Sequence, residues 1–162
     1  MGNLEDVMAY LCSRYPFKEE LSKARLTKMV YLADWRMALT KQSQITNLDW
    51  TFNHYGPYVD DVKDAAEANE GRFTILKTTN MYGSPKEVIG LKRKEETFAS
   101  LSEPEIAALD HVVAMTKDLT WAPFIKLVYS TYPIATQARH VHLDLAQLAT
   151  KYQRELAAVQ VT

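Results

Sequence analysis

Ser22-Lys23-Ala24-Arg25-Leu26-Thr27-Lys28-Met29-Val30-Tyr31-Leu32-Ala33-Asp34-Trp35-Arg36-Met37-Ala38-Leu39-Thr40 is the stretch around which the rest of the chain must be arranged. On a helix, Leu26, Met29, Val30, Ala33 and Met37 form one apolar face. Leu32, Trp35 and Leu39 form a second, nearly opposite face. A helix that is apolar on two sides needs neighbours on both, so this one is predicted to be central. Ser22 suits its N-cap, because the hydroxyl can accept from a first-turn N–H. Lys28, Asp34 and Arg36 lie between the two faces. A buried carboxylate needs a partner, so Asp34 is expected to meet a basic group across a helix contact.

Upstream, Leu4, Val7, Met8, Leu11 and Tyr15 recur at helical spacing and predict a first amphipathic helix. Tyr15-Pro16 stops it, since a residue before proline disfavours helical dihedrals. Cys12, at the edge of the apolar face, reads as a small core residue rather than a nucleophile. Downstream, Trp50, Phe52 and His54 alternate with Thr51, Asn53 and Tyr55, the pattern of a short strand. Gly56 allows a sharp turn, and Pro57 suits the first turn of a following helix. That helix would carry Val59, Val62 and Ala66 on its stripe, Asp60 and Asp61 in its first turn and Gly71 at its close.

Phe73–Thr78 and Lys86–Leu91 read as the strands of a hairpin joined through Met81-Tyr82-Gly83-Ser84-Pro85. Ser102-Glu103-Pro104-Glu105 is a capping box with proline in the first turn. Thr120 begins the next helix, with Trp121, Phe124, Ile125, Val128 and Tyr132 on its face, and Tyr132-Pro133 ends it. Residues 134–142 read as a loop, and Leu145, Leu148, Tyr152, Leu156 and Val159 define a last helix. The expectation is a mainly helical α+β fold with about six helices around a central one. A small antiparallel sheet is expected to combine the strand near 50–55 with the hairpin near 73–91. No linker or repeat divides the chain, so residues 1–162 are read as one domain.

Composition narrows the function classes. Of the 162 residues, 47% are apolar and 24% charged, ordinary values for a chain that buries a core. The formal net charge of −1 supplies no bulk attraction to nucleic acid or to an anionic membrane. Lys18 to Lys41 carries six basic residues against three acidic, and Tyr58 to Glu70 carries five acidic residues and one lysine. Both spans read as solvated helix faces or as a weakly dipolar surface that steers a charged partner. One cysteine excludes an intrachain disulfide and fits a reducing cytoplasm. The start of the chain has neither a secretory pattern nor Ser or Thr at position 6 for myristoylation, and no apolar run is long enough to span a membrane.

No catalytic signature is present: there is no nucleophile elbow and no phosphate-cradling glycine loop. Asp60-Asp61 diverge by about 100° on a helix and make no acid–base pair. His140-x-His142 is the best metal candidate, but dedicated sites recruit three or four ligands and Asp144 is the only carboxylate within reach in sequence, so no metal is expected. Lys23, Arg25 and Lys28 are too few for a recognition helix, and a helix apolar on two faces leaves no face for bases.

Two segments carry a resemblance. Leu26 to Asp34, with its Tyr31-Leu32-Ala33-Asp34 block, and Trp50 to Tyr58, ending in Tyr55-Gly56-Pro57-Tyr58, are similar in order and spacing to the Panacea domain of SocA-like antitoxins. Leu101-Ser102-x-x-Glu105-Ile106 resembles the family's late helix start, and Thr131-Tyr132-Pro133 a terminal motif; Ile134 and Ala135 then depart from the expected aromatic. The resemblance implies a cytoplasmic antitoxin that neutralises a cognate protein toxin, encoded by an adjacent gene, through direct contact. The alternative is a proteolytic adaptor that delivers a toxin to an AAA+ protease, or a phage- or prophage-encoded interaction module. An unrecognised enzyme is the remaining alternative. Recognition rather than catalysis is expected, without catalytic residues, cofactor, membrane or nucleic acid. Tyr31, Asp34, Tyr55, Gly56 and Pro57 would then be structural family positions. Trp50, His54, Tyr58 and Tyr82 are candidate partner contacts, since Tyr and Trp favour interfaces when one edge is exposed; the first three would otherwise pack the sheet on the helices.

Overall fold

Every residue from Arg25 to Trp35 is buried in the computed structural model, which describes residues 2–161. These residues belong to α2 (Lys23–Lys41), which contacts α1 (Leu4–Arg14), α3 (Asp61–Ala68), α4 (Glu103–Thr116) and α7 (Leu145–Val161). The two apolar faces thus find neighbours on both sides, and α2 is the axis of the core. Ser22 accepts from Arg25 N at 3.1 Å, and Gln42 closes the helix in the left-handed region at φ 59°. In α4, Ser102 and Glu105 form the reciprocal capping box.

Two short antiparallel pairs complete the fold. β1 (Thr51–Asn53) pairs with β2 (Gly56–Tyr58), and β3 (Phe73–Thr79) pairs with β4 (Pro85–Leu91). The strand near 50–55 therefore folds back on its own continuation instead of joining the hairpin near 73–91. Pro57 lies in β2, opposite Phe52, and not in a helix; Asp60 is the N-cap of α3, which begins only at Asp61. Gly56 sits at φ +106°, so the chain reverses there and an intervening proline can still run extended. α3 ends at Ala68 with Asn69 as its cap, two residues before Gly71.

β1 gains a further neighbour from far along the chain. Phe52 N donates to Val141 O at 3.0 Å and Leu143 N donates to Trp50 O at 2.8 Å. Part of the expected 134–142 loop is thus an extended stretch laid against β1. Another part is helical. α5 (Trp121–Ser130) stops before Tyr132, and Tyr132–Thr136 form the short α6, with Pro133 in its first turn. This brings the helices among the described residues to seven. Trp35 of α2 stacks on Tyr132 with ring centroids 6.4 Å apart, and Tyr132 stacks on Tyr152 of α7 at 4.8 Å.

Gly56→Ala tests the β1–β2 turn. An added Cβ would lie 3.3 Å from Tyr129 Cε1, on a backbone that L-residues rarely adopt. A loss of about 1–3 kcal/mol is expected in urea unfolding. An unchanged midpoint would show that the turn relaxes freely.

Candidate functional site

The residues singled out by sequence divide into an interior hub and an exposed rim. The hub is Asp34, fully buried on α2. Among the described residues no basic group is bonded to it, contrary to expectation. Its Oδ1 accepts from Ile45 N and Thr46 N, each at 3.0 Å. Its Oδ2 accepts from Thr46 Oγ1 at 2.6 Å, Trp50 Nε1 at 2.9 Å and Gln44 Nε2 at 3.4 Å. One carboxylate therefore organises the link between α2 and β1, which has no regular structure to satisfy its own amides. Burial pushes the Asp34 carboxyl up to about 6, and the donors from Thr46, Trp50 and Ile45 oppose that rise. Sequence reasoning looked for a charged partner and missed the donors because they lie in a loop whose path is set only by folding.

Trp50 is consumed by this hub. It is fully buried, its N–H is held by Asp34, and its ring meets Tyr31 edge-on at 5.5 Å. It offers no surface to a partner, which corrects its place among the candidate contacts. Tyr31 OH lies 2.8 Å from Thr131 Oγ1, and Thr131 Oγ1 itself donates to Val128 O, so Tyr31 is the donor. Gly56 and Pro57 are buried, with Gly56 facing Tyr129. Tyr55, grouped with them as structural, is instead 72% exposed at the turn between β1 and β2, its ring touching His54. His54 is exposed beside it. Tyr58 is half-buried, and its hydroxyl donates to Asp60 at 2.7 Å, a bond that pushes the phenol up to about 12. Tyr82 stands 85% exposed at the tip of the β3–β4 hairpin beside Met81, with Leu76 exposed on β3.

A family model described as "Antitoxin SocA-like, Panacea domain" matches residues 26–133, two thirds of the chain. The chain belongs to the SocA-like antitoxin Panacea family. Comparison with curated proteins and with solved structures returns no match. The span matched by the Panacea model runs from α2 into α6, so it contains Asp34, Trp50, Tyr31 and Thr131 together. In this Panacea domain the sequence blocks that carry the resemblance meet in space as one packed unit.

Other groups in the Panacea domain bear on its chemistry. Cys12 is buried, its thiol donating weakly to Ile89 O, and burial pushes it up to about 12, so no thiolate forms at neutral pH. His140 and His142 lie in the stretch against β1, and among the described residues no group of three or more His, Cys, Asp or Glu could hold a metal ion. Among the described residues no helix is long and apolar enough to cross a membrane.

Two of the six basic residues between Lys18 and Lys41 depart from the solvated face that composition suggests: Arg25 and Lys28 are buried, whereas Lys18, Arg36 and Lys41 are exposed. Burial lowers the Lys28 ammonium to about 8, with no carboxylate opposing it. Unfolded, the same group titrates near 10.5. Below pH 8 the native state therefore holds an unfavourable buried charge, and stability rises as pH climbs from 8 to 10.5. Lys28→Met is expected to stabilise the chain by roughly 2–3 kcal/mol at pH 7, and by little above pH 10.5. Urea unfolding at pH 7 and at pH 10.5 measures both; equal stability of the two chains at pH 7 would refute the buried charge.

Proposed function

We propose that this chain is an antitoxin that neutralises a cognate protein toxin by direct binding. Membership of the Panacea family carries the reading. The separation of hub from rim supports it, because a recognition protein needs a rigid scaffold with apolar and aromatic side chains held out to solvent. Tyr55, Leu76, Met81 and Tyr82 are such side chains, each more than 60% exposed. Neutralisation then works by covering the toxin's active surface, through an interface on the order of 1,600 Å². It is a binding event in the cytoplasm and not a reaction.

The test is co-expression with the adjacent gene under separate promoters, with growth scored and a tagged pull-down made from the same cells. The reading expects toxicity of the neighbour alone, rescue by this chain, and a recovered complex. Rescue with a falling toxin level and no complex would favour delivery to an AAA+ protease instead. A neighbour without toxicity would remove the antitoxin reading. Within the rim, Tyr58→Ala and Tyr82→Ala separate contacts from bystanders. A variant that folds and still neutralises takes its residue off the interface.

A further inference from the structure

The β3–β4 hairpin has two edges, and the chain covers only one of them. The register pairs residues whose numbers sum to 164, and Lys92 N donating to Arg72 O at 2.8 Å identifies the even-numbered residues of β3 as those bonded to β4. In an antiparallel pair the alternate residues turn their backbone groups away from the partner strand. Two bonds agree with this phase. Ile89 N donates outward to Leu21 O at 2.9 Å, and Phe73 N donates outward to Asn69 O at 2.9 Å. The outer edge of β4 is thus occupied by the segment before α2, and the first outward group of β3 by the end of α3.

Beyond Phe73 the outer edge of β3 has no neighbouring strand among the described residues. Ile75, Lys77 and Thr79 turn their N–H and C=O groups outward along a length of about 17 Å, taken as five residues at 3.4 Å each. The edge is held ready rather than frayed. Asn80 Oδ1 accepts from Tyr82 N at 2.9 Å and Ser84 N at 3.0 Å, and Gly83 turns at φ +81°, so the tip fixes the register of both strands. An uncovered strand edge is a template for another strand.

The charge on this edge selects the occupant. Lys77 lies directly across from Glu87, yet Glu87 is engaged with Lys23 at 4.0 Å, and no ion pair to Lys77 occurs among the described residues. A second copy of this chain would be a poor occupant. Any two-fold pairing centred on residues 76–78 places the two Lys77 side chains opposite or diagonal to each other, where like charges repel. A strand carrying a carboxylate opposite Lys77 has the reverse sign.

We propose that the outer edge of β3, from Ile75 to Thr79, is the docking strand of this protein, and that it takes up an extended segment of the protein partner with an acidic residue facing Lys77. The proposal rests on the antitoxin reading for the partner's identity. Main-chain bonds at Ile75, Lys77 and Thr79 provide the affinity, Lys77 sets the charge preference, and Leu76 and Tyr82 lie beside the added strand.

The experiment uses the full chain and the product of the adjacent gene, with binding measured by titration calorimetry and amide exchange followed in the free chain and in the complex. In the free chain the amides of Ile75, Lys77 and Thr79 should exchange fast and those of Thr74, Leu76 and Thr78 slowly. In the complex the first set should slow at least tenfold. Lys77→Pro removes an outward N–H without removing a β3–β4 bond, and Lys77→Glu reverses the charge; each should weaken binding at least tenfold. A wild-type complex in which the odd-numbered amides still exchange fast overturns the docking edge, whatever the variants do to folding. So do wild-type affinities for both variants, and these results leave the antitoxin reading intact. Failure of the wild-type chain to bind the neighbour at all overturns the antitoxin reading, and this site with it.

Discussion

Asp34→Ala is expected to remove roughly 3–5 kcal/mol of stability, a large part of the 5–15 kcal/mol that holds a domain together. Four donors lie within 3.0 Å of this carboxylate: Ile45 N, Thr46 N, Thr46 Oγ1 and Trp50 Nε1. Ile45, Thr46 and Trp50 are all buried, so their donors lose this acceptor away from bulk solvent. Each stranded donor costs about 1–3 kcal/mol, and the cavity adds to it. Asp34→Asn keeps the volume and one acceptor oxygen but turns an NH2 toward donors, so a smaller loss of about 2 kcal/mol is expected. Urea unfolding followed by tryptophan emission measures both. An alanine variant within about 1 kcal/mol of the wild type would show that the α2–β1 link does not depend on Asp34.

Arg25→Ala is expected to cost roughly 3–4 kcal/mol, for a reason at the other end of the same helix. Nη2 of Arg25 has two hydrogens and serves three acceptors: Tyr15 OH at 2.7 Å, Thr116 O at 2.8 Å and Leu119 O at 2.7 Å. Thr116 closes α4, and its carbonyl accepts from the guanidinium as well as from Leu119 N at 3.0 Å. The flat cation also stacks 4.4 Å from the centre of the Phe124 ring and 5.5 Å from that of Tyr15. Arg25 Nε is buried without a hydrogen-bond partner, the one such side-chain atom among the described residues, so the site already carries an unmet donor. Arg25→Lys retains the charge but loses the planar fork and is expected to recover less than half of the loss. Thermal unfolding of the three chains should rank wild type above Lys above Ala. A lysine chain as stable as the wild type would mean that charge alone matters here.

The elements that could be read in advance were those whose signals are local. Ser22, and Ser102 with Glu105, act on amides a turn away, so their caps stand in the structure as in the sequence. The two apolar faces of α2 needed only a period of 3.6 to announce a central helix. Pro57 was misplaced because glycine followed by proline suits a helix start and a strand after a turn equally; the pairing with Phe52 decides between them. Tyr132-Pro133 reads as the end of α5, but α5 stops at Ser130 and the pair opens α6 instead, since proline favours a first turn.

The candidate site was harder to read for one physical reason. Exposure is a property of the whole fold, and an aromatic in a short strand can point either way. Trp50 and Tyr55 sit five residues apart in the same block, and one is fully buried while the other is 72% exposed. Arg25 and Lys28 looked like surface charges for the same reason. The burial of Arg25 depends on α5 and on the end of α4, around a hundred residues away, with its guanidinium over the Phe124 ring and bonded to Leu119 O across 94 positions.

The alternation along β3 separates two kinds of information on a single strand. Even-numbered residues bond their main chain to β4, and odd-numbered residues beyond Phe73 turn theirs outward. Main-chain groups are the same for every amino acid except proline. Side chains on this edge can therefore drift, altering which sequences are accepted, while the means of attachment persists. Under the proposed docking, attachment and preference would thus be carried by different atoms of one strand, the first by the main chain and the second by side chains such as that of Lys77.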